Sequence, residues 1–139
     1  MASAPATLES TTPAPKTAQR TGWILSGIVI AFLVMDSTMK LLALPVVTQA
    51  SAALGWPDDA GTARLLGALL LLITALYAVR RTSIVGAILL TGYLGGAVAT
   101  HARIGSPLLT HTLFGVYLGV LAWAGLALLN PKLRELLAN

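Results

Sequence analysis

Four long apolar stretches, separated by short polar or turn-forming segments, dominate the chain. A transmembrane helix needs about 20 mostly apolar residues, and four such stretches leave too little polar chain to cover them in water. No segment alternates apolar and polar residues, so a membrane β-barrel is not expected. The pattern predicts an all-α membrane protein, a four-transmembrane-helix bundle with spans at about 22–44, 63–79, 83–100 and 107–129.

The segments outside the spans divide the chain into a tail and one membrane domain. Residues 1–20 are small, polar and proline-bearing, without apolar periodicity, which predicts a disordered N-terminal tail. Residues 21–137 then form the four-helix domain. Between the first two spans, residues 46–54 are expected to form a short helix at the membrane interface, where Trp56 suits the headgroup level.

Composition supports a membrane protein and excludes several classes of function. Only 10% of the 139 residues are charged, whereas soluble domains average about 25%. The net charge of +4 comes from scattered basic residues and not from one basic face, so nucleic acid is not an expected partner. The chain has no cysteine, which excludes thiolate catalysis, disulfide exchange and cysteine-ligated metal sites.

Lysine and arginine are unequally distributed between the two ends of the predicted bundle. One end, which we call the basic end, carries Lys16, Arg20, Arg80, Arg81, Lys132 and Arg134. The other, which we call the histidine end, carries Arg64 and Arg103, with Lys40 near the end of the first span. Because cytoplasmic loops are enriched in Lys and Arg, the distribution predicts that both termini are cytoplasmic (N-in, C-in).

Ionisable residues from all four spans fall at the histidine end, near the outer face. At about 1.5 Å per residue, Asp36 lies about 21 Å beyond Gly22, and Lys40 follows at i+4 on the same face. An ionisable residue within a span indicates a functional site by default. Asp36 could equally pin helices together by pairing with a basic residue. The basic and histidine side chains at this level are Lys40, Arg64, His101, Arg103 and His111.

The charge balance of these groups restricts the ligand. If they converge, their net positive charge favours an anionic or electron-rich polar head over a cation. If Lys40 and Arg64 instead extend separately to lipid phosphates, the preference disappears.

Two tyrosines lie near the middle of the membrane. Tyr93 and Tyr117 are each about 15 Å from a span end, where their hydroxyl groups need hydrogen-bond partners. They could extend a ligand pocket outward to His101 and His111, or bond only to neighbouring helices. No carboxylate completes a zinc site and the histidines share one hairpin, so neither metal nor haem is expected. The candidate ligand-binding residues are Asp36, Lys40, Arg64, Tyr93, His101, Arg103, His111 and Tyr117.

Small residues spaced four apart indicate where helices pack closely. They form three pairs in the last two spans, which predicts that these spans are tight antiparallel neighbours. The pairs are Gly92 and Gly96, Gly95 and Ala99, and Gly115 and Gly119.

Several segments together resemble the DoxX-like family of small four-helix membrane proteins. They are DSTMKLLALP, LGWP, RLLG, TGYLGGAVATHARIG and NPKLRELL, and the similarity runs from Gly22 to Leu137. Its most specific parts are Gly92 to Arg103, Lys40, Trp56-Pro57 and Gly67. The resemblance implies a four-helix bundle in the bacterial cytoplasmic membrane. It also implies a link to quinone-coupled oxidoreductase complexes, whose small subunits give the family its name.

Three functions fit these features. The first is an accessory subunit of a quinone-coupled redox system, with a quinone in the polar pocket and a redox protein as partner. The second is a non-catalytic binding or transport module for a small lipophilic or anionic-headed ligand, although internal repeats and broken helices, typical of transporters, are not apparent. The third is a structural membrane partner, and a second copy of the chain is a further expected partner. No catalytic residue or metal motif is recognised, so a stand-alone enzyme is not expected.

Overall fold

The computed structural model describes residues 13–139. Over these residues the chain forms six α-helices and one π-helical turn, and no β-strand. The helices are α1 (Lys16–Leu41), α2 (Pro45–Ala53), α3 (Ala60–Ala78), α4 (Ser83–Arg103), α5 (Phe114–Leu129) and α6 (Pro131–Ala138), with the π-helical turn over Leu108–Thr112 before α5.

Four helical segments are long and apolar enough to cross a membrane. They are α1, α3, α4 and the stretch Leu108–Leu129, which joins the π-helical turn to α5. Large apolar side chains cover their outer surface; Leu65 is 70% exposed and Val120 62%. Such a surface suits lipid, since a soluble protein does not expose contiguous apolar patches of this extent. The predicted all-α, four-span membrane protein is confirmed.

The four spanning helices form a closed ring. Helices α1 and α4 each pack against both α3 and α5, so α1 lies diagonally opposite α4 across the bundle. The buried residues of α1 recur every three or four positions along the helix, and several of them have small or polar side chains. Its buried residues are Gly22, Ser26, Val29, Leu33 and Ser37.

Glycines allow some of the helices to pack closely, but only some of the glycines predicted to do so lie at a helix contact. A Cβ added to Gly115 would lie 3.1 Å from the Leu94 carbonyl oxygen, which confirms that α4 and α5 are close neighbours. A Cβ added to Gly92, Gly95 or Gly96 would meet nothing within 4 Å. The prediction that these three pack against the last span is therefore wrong, because α4 turns its opposite face inward. That face consists of Ser83, Gly86, Ala87, Leu90 and Leu94.

Helix boundaries differ from the predicted spans at several ends. Helix α1 begins at Lys16, where the sequence predicted the polar tail to reach residue 20, because nothing between Lys16 and Gly22 breaks a helix. The rest of that tail, residues 1–12, lies outside the described residues. Helix α1 ends at Leu41 because Ala43 takes a left-handed conformation (φ 49°) before Pro45 starts α2. Helix α2 confirms the short helix predicted at residues 46–54.

Candidate functional site

An ion pair lies on the last turns of α1. The Lys40 Nζ donates to Asp36 Oδ1 at 2.5 Å, and the two side chains are only 17% and 30% exposed. It is the one ion pair within residues 13–139. Gly67 on α3 makes room for it, because a Cβ there would lie 2.8 Å from the Lys40 Cβ. Asp36 thus pairs within its own helix, as the i,i+4 spacing predicted.

Tyr93 lies on α4, the helix diagonally opposite this pair. Its half-buried ring packs against the core of the bundle. No hydrogen bond joins that hydroxyl to any other group in the described chain. Asp36 and Lys40 on α1 and Tyr93 on α4 are thus three partly buried polar residues on diagonally opposite helices.

The two histidines lie side by side at the end of the bundle. The ring centroids of His101 and His111 are 6.0 Å apart, in agreement with the similar depth predicted from their hairpin. His101 Nδ1 is 3.0 Å from Ser106 Oγ, and His111 Nδ1 is 2.8 Å from Thr110 Oγ1. These hydroxyl contacts engage one nitrogen of each ring and leave the Nε2 atoms available.

Arg64 and Arg103 bind backbone, not Asp36. Arg64 Nε donates to the Leu41 carbonyl oxygen at 3.3 Å, and Arg103 Nη2 donates to the Leu54 carbonyl oxygen at 2.9 Å. Gly55 allows the second contact, because a Cβ there would lie 2.6 Å from Arg103 Nη2. Both guanidinium groups therefore anchor the connection between α1 and α3.

Asp59 supplies a fixed negative charge at the start of α3. Its carboxylate accepts hydrogen bonds from the Thr62 hydroxyl (2.7 Å) and the Thr62 backbone N–H (2.8 Å). These bonds hold the pKa of Asp59 below its ordinary value, the hydroxyl bond having the larger effect. A carboxylate at a helix N-terminus also complements the helix dipole.

Tyr117 does not join the other candidates. It lies on the lipid-facing side of α5, 46% exposed, beside the exposed Val116 and Val120. The eight predicted residues therefore form an interior set (Asp36, Lys40, Tyr93), a histidine pair, two arginine anchors and one outward tyrosine.

A cavity lies at the basic end, where the sequence interpretation placed no site. It has a volume of about 330 Å³, and its lining includes Trp23, Arg80, Asn130 and Lys132. The sequence interpretation used Arg80 and Lys132 only to orient the chain. The signal it missed was Tyr77, whose hydroxyl lies inside the bundle and not at a lipid headgroup.

The comparisons with known proteins give one match. The sequence model of the DoxX-like family matches residues 24–125. That range holds the interior set and both histidines, and it ends before the NPKLRELL segment of α6. Neither the curated proteins nor the solved structures include a match. Since the family match extends over most of the chain, the protein belongs to the DoxX-like family.

Proposed function

We propose that this protein is a non-catalytic accessory subunit of a redox system in the bacterial cytoplasmic membrane. It binds a quinone, or a lipid-soluble molecule with a similar electron-rich head, at the histidine end. The observation that supports the proposal is the interior set, in which Lys40 and Tyr93 carry hydrogen-bond donors that protein groups do not use up.

The donor count suits a quinone carbonyl. An ammonium group has three N–H donors, and the Lys40 ammonium uses one of them in its hydrogen bond to Asp36. The Tyr93 hydroxyl adds a donor from across the bundle. Asp36 neutralises the Lys40 charge, so the interior set favours a neutral acceptor over a free anion. In a medium of low dielectric constant, such hydrogen bonds are stronger than in water.

In this proposal, a partner protein supplies the electrons that reduce the bound quinone. The chain has no cysteine, so it offers no thiol couple of its own. The adjacent imidazoles of His101 and His111 lie at the end of the bundle, where a water-exposed partner would meet the ligand.

Two tyrosine substitutions provide the test. Tyr93→Phe removes only the interior hydroxyl, whereas Tyr117→Phe makes the same change on the lipid-facing surface. We expect Tyr93→Phe to weaken binding of a short-chain quinone to the purified protein about fivefold, the effect of one lost hydrogen bond. Tyr117→Phe should bind as the unmodified protein does. Mass spectrometry of the molecules that co-purify gives an independent measurement.

A structural role is the second candidate, favoured by the backbone contacts of Arg64 and Arg103. It predicts that neither tyrosine variant changes quinone binding, because no specific binding is present. Equal weakening by both variants would also contradict the proposed site, since the Tyr117 hydroxyl lies on the lipid-facing surface and outside that site.

A further inference from the structure

The cavity at the basic end has the size and position of a ligand site. It lies between the N-terminal parts of α1 and α4, the C-terminal parts of α3 and α5 and the start of α6, and its volume is about 330 Å³. A second cavity of about 310 Å³ adjoins it and shares Trp23, Arg80, Leu129 and Pro131 with it. Ligand pockets commonly measure about 300–1,000 Å³.

The mouth of this cavity is cationic. Arg80 and Lys132 both line it, and no carboxylate among residues 13–139 does. The Arg80 guanidinium lies 5.6 Å from the centroid of the Trp23 ring, a cation–π contact that orients the group without using its N–H donors on an acid. Asn130 Oδ1 accepts from the Leu133 N–H, so its NH₂ group keeps its donors.

The deeper walls of the cavity are apolar and its polar floor is already satisfied. Ile30, Leu126 and Leu129 form part of the walls. At the floor, the Tyr77 hydroxyl donates to the Ala122 carbonyl oxygen at 2.8 Å and lies 3.3 Å from Ser26 Oγ. Unused donors are therefore concentrated at the mouth, and the interior offers mainly apolar surface.

We propose that this cavity binds an anionic phospholipid from the leaflet at the basic end. The headgroup phosphate lies against Arg80, Lys132 and Asn130, and part of an acyl chain follows the apolar wall. Basic residues near a membrane surface attract anionic lipids, and here two of them border a cavity rather than a flat surface. The proposal is independent of quinone binding, which concerns the opposite end of the bundle.

The test is a competition between lipids with a charge-matched control. The purified protein is mixed in detergent with equal amounts of phosphatidylglycerol and phosphatidylcholine, and native mass spectrometry counts the bound lipids. We expect a preference for phosphatidylglycerol that Arg80→Gln/Lys132→Gln reduces about tenfold. Arg81→Gln/Arg134→Gln removes the same charge from the same end, outside the cavity lining, and should retain most of the preference.

Other results would overturn the proposal. Equal losses in the two double variants would mean that the general positive charge of this end attracts the lipid. Displacement of the lipid by an equal concentration of inorganic phosphate would show that the apolar wall contributes nothing. If the cavity variant does not fold, Lys132→Gln alone, on the short α6, must still reduce the preference. Tyr93→Phe must leave lipid binding unchanged, which separates this site from the proposed quinone site.

Discussion

At the residue scale, the ion pair of Asp36 and Lys40 shows which polar contacts a sequence reveals. The two residues are one helical turn apart, so helix geometry alone predicts that they meet. The partners of Arg64 and Arg103 are carbonyl oxygens of Leu41 and Leu54. Their positions depend on how the connection between α1 and α3 folds over the bundle, and no spacing in the sequence encodes that path.

The Asp36–Lys40 pair gives a prediction about stability. Asp36→Asn leaves the Lys40 ammonium without its partner, and we expect the free energy of unfolding to fall by about 2 kcal/mol, less than for a fully buried pair. Lys40→Met has a comparable effect, because it leaves the carboxylate unpaired. The double variant should lose less than the sum of the two. Unfolding in mixed micelles by a denaturing detergent measures all three, and strictly additive losses would contradict a coupled pair.

At the scale of the helices, small residues occur where two helices pack closely, but a four-residue spacing of small residues does not by itself identify the packed face. Gly92 and Gly96 have the same four-residue spacing as Gly115 and Gly119, yet only the second pair contacts a neighbouring helix. The inward face of α4 includes Gly86, which lies against the backbone of Tyr77, and Leu94, whose carbonyl oxygen lies beside Gly115. The predicted pairing of the last two spans was right, while the residues chosen for the α4 side were wrong.

Two glycines on α4 make this difference measurable. A Cβ at Gly86 would overlap the backbone of Leu76 and Tyr77, which cannot move aside by changing rotamer. We expect Gly86→Ala to lower the free energy of unfolding by about 1–3 kcal/mol, as overpacking typically does. Gly92→Ala meets nothing and should be neutral or slightly stabilising, since alanine favours helix. The same unfolding assay compares them, and equal effects would refute the assigned inward face.

At the scale of the whole molecule, composition and apolar length were enough to predict four spans, because a chain with so few charges has no other way to cover its helices. The site was harder to predict. Its interior set follows from depth along the spans, but the cavity at the basic end arises from the packing of five helices around Tyr77.

The N-in, C-in orientation is itself a prediction from the distribution of Lys and Arg, and it can be tested at this scale. Since the chain has no cysteine, a single introduced thiol is unique. In intact spheroplasts, a membrane-impermeant maleimide should label Asp58→Cys, between α1 and α3, and should not label Asn139→Cys after α6. Permeabilised cells should give labelling of both. The reverse pattern in intact cells would mean that the bundle is inserted the other way.

The contact between α1 and α5 has a consequence for biosynthesis. The first and last spanning helices lie so close that a Cβ on Gly125 would be 2.6 Å from Ser26 Oγ. The Tyr77 hydroxyl on α3 also needs the Ala122 carbonyl of α5. Until the fourth span leaves the translocon, the face of α1 that packs against α5 stays open to lipid, and the Tyr77 hydroxyl lacks the carbonyl oxygen that it binds in the finished bundle. We therefore expect a nascent chain truncated before α5 to expose Ser26 and Tyr77 to lipid, and to be degraded faster than the finished protein.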